Sequence, residues 1–284
     1  MINLTPRRLL LEDSYEDGED SRHFSFRIDA PSAADLAAMP GQFFVLAVPG
    51  CGEAPFTYVS LPNAAGQFSA LIRRCGALTA ALFERANGSV LGYRGPFGKG
   101  WPLFLQRQQV LVVAGGCGLA PLAGLLDEAS EHRLPARLRV IYGARHAATQ
   151  VLGRERQRWR QTLPFIETLD TAAPGQRQGV PSAHLDELFP AQPPDALLCC
   201  GPEALMRASA EECVRRGVAP SRIWLSVERR MHCADGLCGH CYVGASYACR
   251  DGPTYRYDRY LHLLAQQGGQ GGQGSAVLPP RSCS

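Results

Sequence analysis

The sequence carries little net charge and no dense basic block. Its 29 Lys and Arg residues nearly balance 26 Asp and Glu, which leaves +3 at neutral pH. The basic groups "PRRLL", "LIRR" and "RERQRWR" are short and interrupted by acidic residues, as solvated faces are. No nucleic-acid partner is therefore expected. Long apolar runs are scarce as well. The N-terminus "MINLTPRRLLLEDSYEDGED" lacks an apolar stretch of signal-peptide length and turns acidic at once. The longest uncharged run, "VLVVAGGCGLAPLAGLL" from Val110 to Leu126, is interrupted by glycines and a proline. It reads as strand, turn and helix rather than as a membrane span. No membrane partner and a cytoplasmic location are the expectation. No internal repeat is visible.

A reducing compartment gives eleven cysteines little use as a disulfide framework. Metal binding or scattered buried thiols remain. Four of them, Cys233, Cys238, Cys241 and Cys249, fall within "MHCADGLCGHCYVGASYAC". Thiolates are soft ligands, and four in a compact loop suit tetrahedral zinc or an iron–sulfur cluster. Zinc sites usually present two C-x2-C knuckles, and this loop has one. The C-x4-C-x2-C opening is the plant-type [2Fe–2S] spacing, although the fourth cysteine follows sooner than in that type. Small residues, Gly236 and Gly239 among them, let backbone amides approach sulfide. The balance favours [2Fe–2S] over zinc or no metal. His232 and His240 flank the loop, but a Rieske arrangement would replace two cysteines and four are present, so both read as bystanders.

The length suits two domains with an appendage. The first hundred residues read as a small antiparallel β-barrel: "HFSFRIDA", "GQFFVLAV", "FTYVSLP" and "QFSALIRR" are short apolar segments set off by Gly, Pro, Asn and Asp. "GALTAALFERA" reads as a helix, and "SVLGYRGPFGKGWPL" as a strand entering a Gly/Pro loop. From about Gln109, strands ("QVLVVAG", "ARLRVIYGAR", "LPFIETLD", "PDALLCCGP", "RIWLSVE") alternate with helices ("LAPLAGLLDEASEH", "ATQVLGRERQRWRQT", "SAHLDELF", "EALMRASAEECVRRG"). That alternation predicts a doubly wound parallel α/β sheet. The expected divisions are 1–103, 104–227, a cluster region 228–262 and a Gly/Gln-rich mobile tail 263–284.

Gly115, Gly116 and Gly118 lie between a strand and a helix, where a dinucleotide pyrophosphate meets unpaired N–H groups. The string is not G-x-G-x-x-G, and a tight turn without ligand is an equal reading of it alone. A second strand ending in Cys200, Gly201 and Pro202 adds weight, since both ends share one sheet edge. Arg145, after "IYGA", is placed to meet a ribose phosphate, with an ordinary surface arginine as the equal alternative. In the β-rich part Thr57 and Ser60 offer hydroxyls, Phe56 and Tyr58 stacking faces, and Arg73 a charge. Gly76 and Thr79 form a candidate anion site at a helix start.

A barrel, a dinucleotide fold and a C-terminal cysteine loop together resemble the ferredoxin–NADP reductase superfamily. Within it, "ERRMHCADGLCGHCYVGASYACRDGP", "EAPFT", "RRCGALTAAL", "GPFGKGWP" and "YGAR" are similar to flavin/iron–sulfur electron-transfer subunits. These include the gamma subunit of soluble nickel–iron hydrogenase (sulfhydrogenase), the anaerobic sulfite reductase B subunit and the dihydroorotate dehydrogenase electron-transfer subunit. The resemblance implies FAD on the barrel, NAD(P)H as substrate on the second domain and a [2Fe–2S] cluster held by the four cysteines. It implies flavin contacts at Pro55, Phe56, Thr57 and Ser60, at Leu71, Ile72 and Arg73, and at Gly76, Leu78 and Thr79. Nucleotide contacts would fall on Gly115, Gly116, Gly118, Leu119, Ala120, Pro121, Gly143, Arg145, Cys200, Gly201 and Pro202. The superfamily's Arg-x-Tyr-Ser flavin motif falls on Ala54, Phe56 and Thr57, so its arginine is missing. Arg73 and the Gly76–Thr79 turn stand nearby. The implied activity is a diaphorase-type oxidoreductase passing electrons between NAD(P)H and a catalytic subunit, in either direction, within a hetero-oligomer, a hydrogenase first. No catalytic side chain is assigned, because hydride transfer needs no protein acid or base. A metal- or nucleotide-sensing protein without turnover is the alternative of another class.

Overall fold

The computed structural model describes residues 5–102, 108–131, 133 and 136–268. Six strands, β1 (Arg7–Glu16), β2 (Ser21–Ile28), β3 (Phe43–Val48), β4 (Gly52–Thr57), β5 (Gln67–Arg73) and β6 (Val90–Phe97), form an antiparallel sheet in the order β4-β3-β6-β1-β2-β5. The sheet closes on itself just beyond β4, where Ser60 bridges Ser69 of β5 and Val59 N–H donates to the Ser69 carbonyl. Inward residues such as Leu9, Leu11, Phe24, Phe26, Phe44 and Tyr93 alternate along the strands and fill one core. Two short helices decorate the barrel, α1 (Ala33–Leu36) and α2 (Ala77–Phe83). The sequence reading missed β1, its central strand, because only Leu9 and Leu11 alternate before the segment turns polar. The segment "FTYVSLP" is shifted: the strand spans Gly52–Thr57, and Tyr58 and Val59 follow as buried connection.

The second sheet contains β7 (Gln109–Gly115), β8 (Arg137–Ala144), β9 (Phe165–Leu169), β10 (Ala196–Cys200) and β11 (Ile223–Ser226), all mutually parallel. Its order runs β11-β10-β7-β8-β9, so the direction of winding reverses between β7 and β10. Leu111 and Val113 face one core, Val110, Val112 and Ala114 the other. Burying each such valine or leucine stabilises by about 1.5–3 kcal/mol, which is available only with helices on both faces. Those helices are α3 (Ala120–Ser130), α4 (Gly153–Thr162), α5 (Leu185–Leu188) and α6 (Glu203–Arg215). Helix α4 starts later than "ATQVLGRERQ" suggests. The Val151 N–H donates to the Tyr142 hydroxyl, and a short 3-10 turn at Ala147–Thr149 precedes it.

The cysteine loop follows β11. A small hairpin, β12 (Tyr242–Val243) and β13 (Ser246–Tyr247), leads to a single turn, α7 (Ala248–Asp251). Then β14 (Thr254–Arg256) pairs antiparallel with β11 and becomes the edge of the second sheet. A final helix, α8 (Tyr257–Gly268), packs back with Tyr260 and Leu263 buried. The cluster region is thus continuous with the nucleotide sheet, not merely appended. Residues 263–268, expected in the tail, belong to α8, with Leu263 in the core. The boundary expected at 103–104 and the Gly/Gln-rich stretch beyond 268 lie outside the described residues. No helix among the described residues is long and apolar enough to cross a membrane.

Candidate redox centre and nucleotide edge

Four consecutive amides wrap the sulfur atoms of the cysteine loop. The N–H groups of Asp235, Leu237 and Cys238 donate to Cys233 Sγ at 3.4, 3.3 and 3.4 Å, and Gly236 N–H donates to Cys249 Sγ at 3.1 Å. The left-handed backbone of Gly236, φ +73°, turns these amides inward. Such a nest suits an anionic sulfur centre and sets its potential. Burial, with the Cys241 thiol beside it, pushes the Cys249 thiol up to about 12. It ionises readily only against a cation, which iron ligation supplies. Cys241 and Cys249 are buried, while Cys238 is exposed beside Leu237, itself 62% exposed. One side of the centre therefore reaches solvent. His232 and His240 stack edge-on at 4.4 Å.

Three contacts hold this loop against both other units. Arg94, on β6, has its guanidinium 96% buried and donates to the Cys233 carbonyl at 3.0 Å and the His232 carbonyl at 3.4 Å. Its Nη2, which also reaches His232, and its Nε donate to Glu53 of β4 at 2.6 and 3.3 Å, and Phe97 lies against it. Lys99 N–H donates to the Gly252 carbonyl. On the other side, the β11–β14 ladder joins the loop to the nucleotide sheet. The sequence reading missed Arg94: an arginine in "GYRGPF" has no local sign of burial.

At the C-terminal edge of the parallel sheet the two glycine loops meet backbone to backbone. A Cβ on Gly118 would lie 2.5 Å from the Cys200 carbonyl oxygen, and one on Gly201 2.9 Å from the Gly115 nitrogen. This crevice is the switch point of the sheet, where dinucleotides bind in such folds. Gly115, Gly118, Gly201 and Pro202 are brought together there, while Gly116 faces open space and Pro121 lies further along α3 with its carbonyl accepting from Trp101 Nε1 at 2.6 Å. Leu119 and Ala120 turn their side chains into the core, so only their backbone faces the crevice. Cys200 also offers only backbone, because burial pushes its thiol up to about 12 and the thiol points to the Ser226 carbonyl. Gly143 is explained by packing: a Cβ there would strike Pro181 at 2.6 Å. Arg145 is exposed one residue past β8, its guanidinium without a partner among the described residues.

The flavin candidates line the seam where β4 and β5 diverge past their bridge. Pro55, Phe56 and Thr57 are half-buried on β4, and Arg73 at the end of β5 has no side-chain partner among the described residues. Ser60 shares its hydroxyl with Ser69 at 2.8 Å. Leu71 packs toward the nucleotide unit and Ile72 into the barrel core, so Ile72 contributes backbone alone. Gly76 and Leu78 sit at the start of α2. Thr79 differs from expectation: its hydroxyl donates to the Gly76 carbonyl and accepts from Cys75 N–H at 2.8 Å, so it braces the turn rather than presenting itself to an anion. Glu53, next to the missing motif arginine at Ala54, is taken by Arg94.

Three family descriptions match successive parts of the chain: the oxidoreductase FAD-binding domain over residues 9–101, the oxidoreductase NAD-binding domain over 112–211, and the iron–sulfur cluster binding domain of dihydroorotate dehydrogenase B over 228–260. The sulfhydrogenase 1 gamma subunit of Pyrococcus furiosus is 31% identical over 253 residues, covering 84% of this chain and 86% of that protein. The chain belongs to the flavin and iron–sulfur electron-transfer subunits of the ferredoxin–NADP reductase superfamily. A probable dihydroorotate dehydrogenase B (NAD(+)) electron transfer subunit of Thermococcus kodakarensis is 30% identical, covering 91% of this chain and 99% of that one. Among solved structures, an NADH-dependent reduced ferredoxin–NADP oxidoreductase shares the fold with a TM-score of 0.72, 24% identity and 94% coverage of each chain. As a member of this family the chain is an oxidoreductase with FAD-, NAD- and iron–sulfur-binding units.

Proposed function

We propose that this chain is the NAD(P)(H)-dependent electron-transfer subunit of a soluble nickel–iron hydrogenase or sulfhydrogenase, run in either direction, with FAD on the barrel and a [2Fe–2S] cluster on Cys233, Cys238, Cys241 and Cys249. The observation that carries it is the placement of the cysteine loop. Arg94 and the β11–β14 ladder clamp it between the flavin and nucleotide units, while Cys238 and Leu237 stay open to a partner. FAD, when bound, exchanges a hydride pair for single electrons, which a [2Fe–2S] cluster takes one at a time. The chain's own residues bind and orient. Gly116, Gly118, Gly201 and Pro202 cradle the dinucleotide, and Arg145 meets its ribose phosphate. Arg73 and the Gly76 turn hold the flavin phosphate, with Phe56 and Thr57 beside the ring.

A two-iron cluster is favoured over one zinc ion by the amides that face the sulfurs. The four cysteines lie in one loop whose consecutive amides at Asp235, Leu237 and Cys238 turn to Cys233 Sγ and at Gly236 to Cys249 Sγ, an arrangement that supports a sulfide-bearing centre. A reducing, cytoplasmic setting agrees with thiols unpaired by disulfides. The proposed units are 1–103 for flavin, 104–227 for nucleotide and 228–268 for the cluster.

The iron–sulfur match favours a second reading, in which the catalytic partner is a dihydroorotate dehydrogenase. Recombination with each candidate catalytic subunit decides. Hydrogen-dependent reduction of NAD(P)⁺ with nickel–iron subunits supports the first reading. Dihydroorotate-dependent reduction, with no response to hydrogen, replaces it by the second. Full FAD and iron loading with no NAD(P)H oxidation by an artificial acceptor would reassign the chain to sensing.

A further inference from the structure

Away from the redox centre, three metal-capable side chains from different units converge. Asp17 lies in the β1–β2 turn, His23 on β2 and Glu155 in the first turn of α4. His23 Nδ1 stands 3.6 Å from Asp17 Oδ2 and 4.0 Å from Glu155 Oε1. All three residues are more than nine-tenths buried. Asp17 Oδ2, His23 Nδ1 and Glu155 Oε2 have no hydrogen-bond partner among the described residues. Asp17 Oδ1, by contrast, is used: it accepts from Gly153 N–H at 3.0 Å and caps α4. Tyr15 stacks on the imidazole at 5.0 Å, and Arg154 lies over Tyr15 rather than over either carboxylate.

Two buried carboxylates side by side are costly without a cation between them. A charged N–H and its carboxylate sit at about 2.7–2.9 Å, and here one nitrogen faces two carboxylates at longer range. Donor atoms around an ion with bonds of about 2.0–2.2 Å at tetrahedral angles lie roughly 3.3–3.6 Å apart. The 3.6 Å spacing of His23 and Asp17 falls at the edge of that range and the 4.0 Å spacing of His23 and Glu155 a few tenths beyond it, and imidazole with carboxylate is a set that divalent transition metals accept.

We propose that Asp17, His23 and Glu155 form a binding site for a divalent transition-metal ion of the zinc type, which fastens the flavin barrel to the nucleotide unit. The surroundings suit a clamp. Glu19 N–H donates to the Ala148 carbonyl at 2.7 Å, and Arg74 N–H donates to the Asp20 carbonyl at 2.7 Å. The β1–β2 turn thereby links the loop after β8 to the residue following Arg73. An ion there fixes the flavin phosphate end of the barrel against the ribose end of the nucleotide crevice.

The test uses the full chain loaded with FAD and iron, dialysed with zinc against a competing chelator. The expected result is one zinc per chain in addition to the cluster iron, with nitrogen and oxygen at about 2.0 Å and no sulfur at about 2.3 Å by X-ray absorption. Glu155→Gln and His23→Gln should each weaken zinc binding on the order of 100-fold or more, since even removing an outer partner costs 10–100-fold, with flavin and iron content unchanged. Because Asp17 also caps α4, it is not the variant of choice. Failure of the wild-type chain to retain zinc overturns the site, as does a sulfur shell or full retention by both variants.

Discussion

The Arg94 guanidinium donates to the carbonyl of Cys233 at 3.0 Å, which ties the flavin barrel to the first cysteine of the cluster loop. Removing it leaves two carbonyls and Glu53 without their donor. Charge-assisted hydrogen bonds are worth about 1.5–3 kcal/mol each, and the Glu53 half is discounted because that side chain is more than one-third exposed. Arg94→Met should lower stability by about 2–3 kcal/mol. Stopped-flow absorbance should find flavin reduction by NAD(P)H unchanged and flavin-to-cluster transfer slowed. Equal slowing of both steps would mean that Arg94 serves the fold generally.

The nucleotide crevice is tested by two neighbouring glycines. Gly118→Ala places a methyl group on the Cys200 carbonyl, whereas a Cβ on Gly116 meets nothing within 4 Å. Overpacking of the first kind costs about 1–3 kcal/mol. Gly116→Ala costs roughly 1–2 kcal/mol through its left-handed backbone, φ +53°. The melting temperature should fall for both, and the KM for NAD(P)H should rise about tenfold or more for both, for Gly118→Ala because the two loops are forced apart and for Gly116→Ala because its methyl enters the open space of the cradle.

Thiol chemistry separates the cysteines. Cys238→Ser and Cys249→Ser should lose most of the iron and the reduced-cluster EPR signal while keeping FAD. Cys200→Ser should keep both, because that thiol is buried against the Ser226 carbonyl and its backbone alone faces the crevice. Iron, sulfide and flavin analyses on the three variants check this directly.

Acid sensitivity is expected at Asp35. Burial alone would raise its carboxyl, but the Arg7 guanidinium, bound through two 2.6 Å hydrogen bonds, and the Ser32 hydroxyl and N–H hold it below the usual carboxylate range. A carboxyl lowered on folding contributes stability above its unfolded pKa of about 3.9, and that contribution is lost as pH falls through the folded value. Wild type should therefore exceed Asp35→Asn in melting temperature at pH 7, and the gap should narrow as pH falls through and below the usual carboxylate range. A gap independent of pH would contradict this assignment.

The iron–sulfur-binding unit was legible in the sequence because one short loop carries four closely spaced cysteines. The doubly wound sheet was legible for a similar reason, since "QVLVVAG" and "PDALLCC" are buried on both faces. Strand β1 was not, because a barrel strand with two alternating leucines and an acidic end resembles a solvated terminus. Arg94 and the Asp17–His23–Glu155 group escaped notice because their partners lie far away in the chain. Gly143 was misleading in the other direction, since the absence of a side chain serves Pro181 packing as well as it would serve a ligand.

The most direct test of the electron path is low-temperature EPR of the anaerobic, FAD- and iron-loaded chain, frozen before and after addition of NAD(P)H. The account predicts bleaching of the flavin absorbance together with a reduced [2Fe–2S] signal that is missing in Cys238→Ser. A flavin that bleaches while the iron stays EPR-silent at every time point, or a cysteine loop that carries zinc in place of iron, would contradict it.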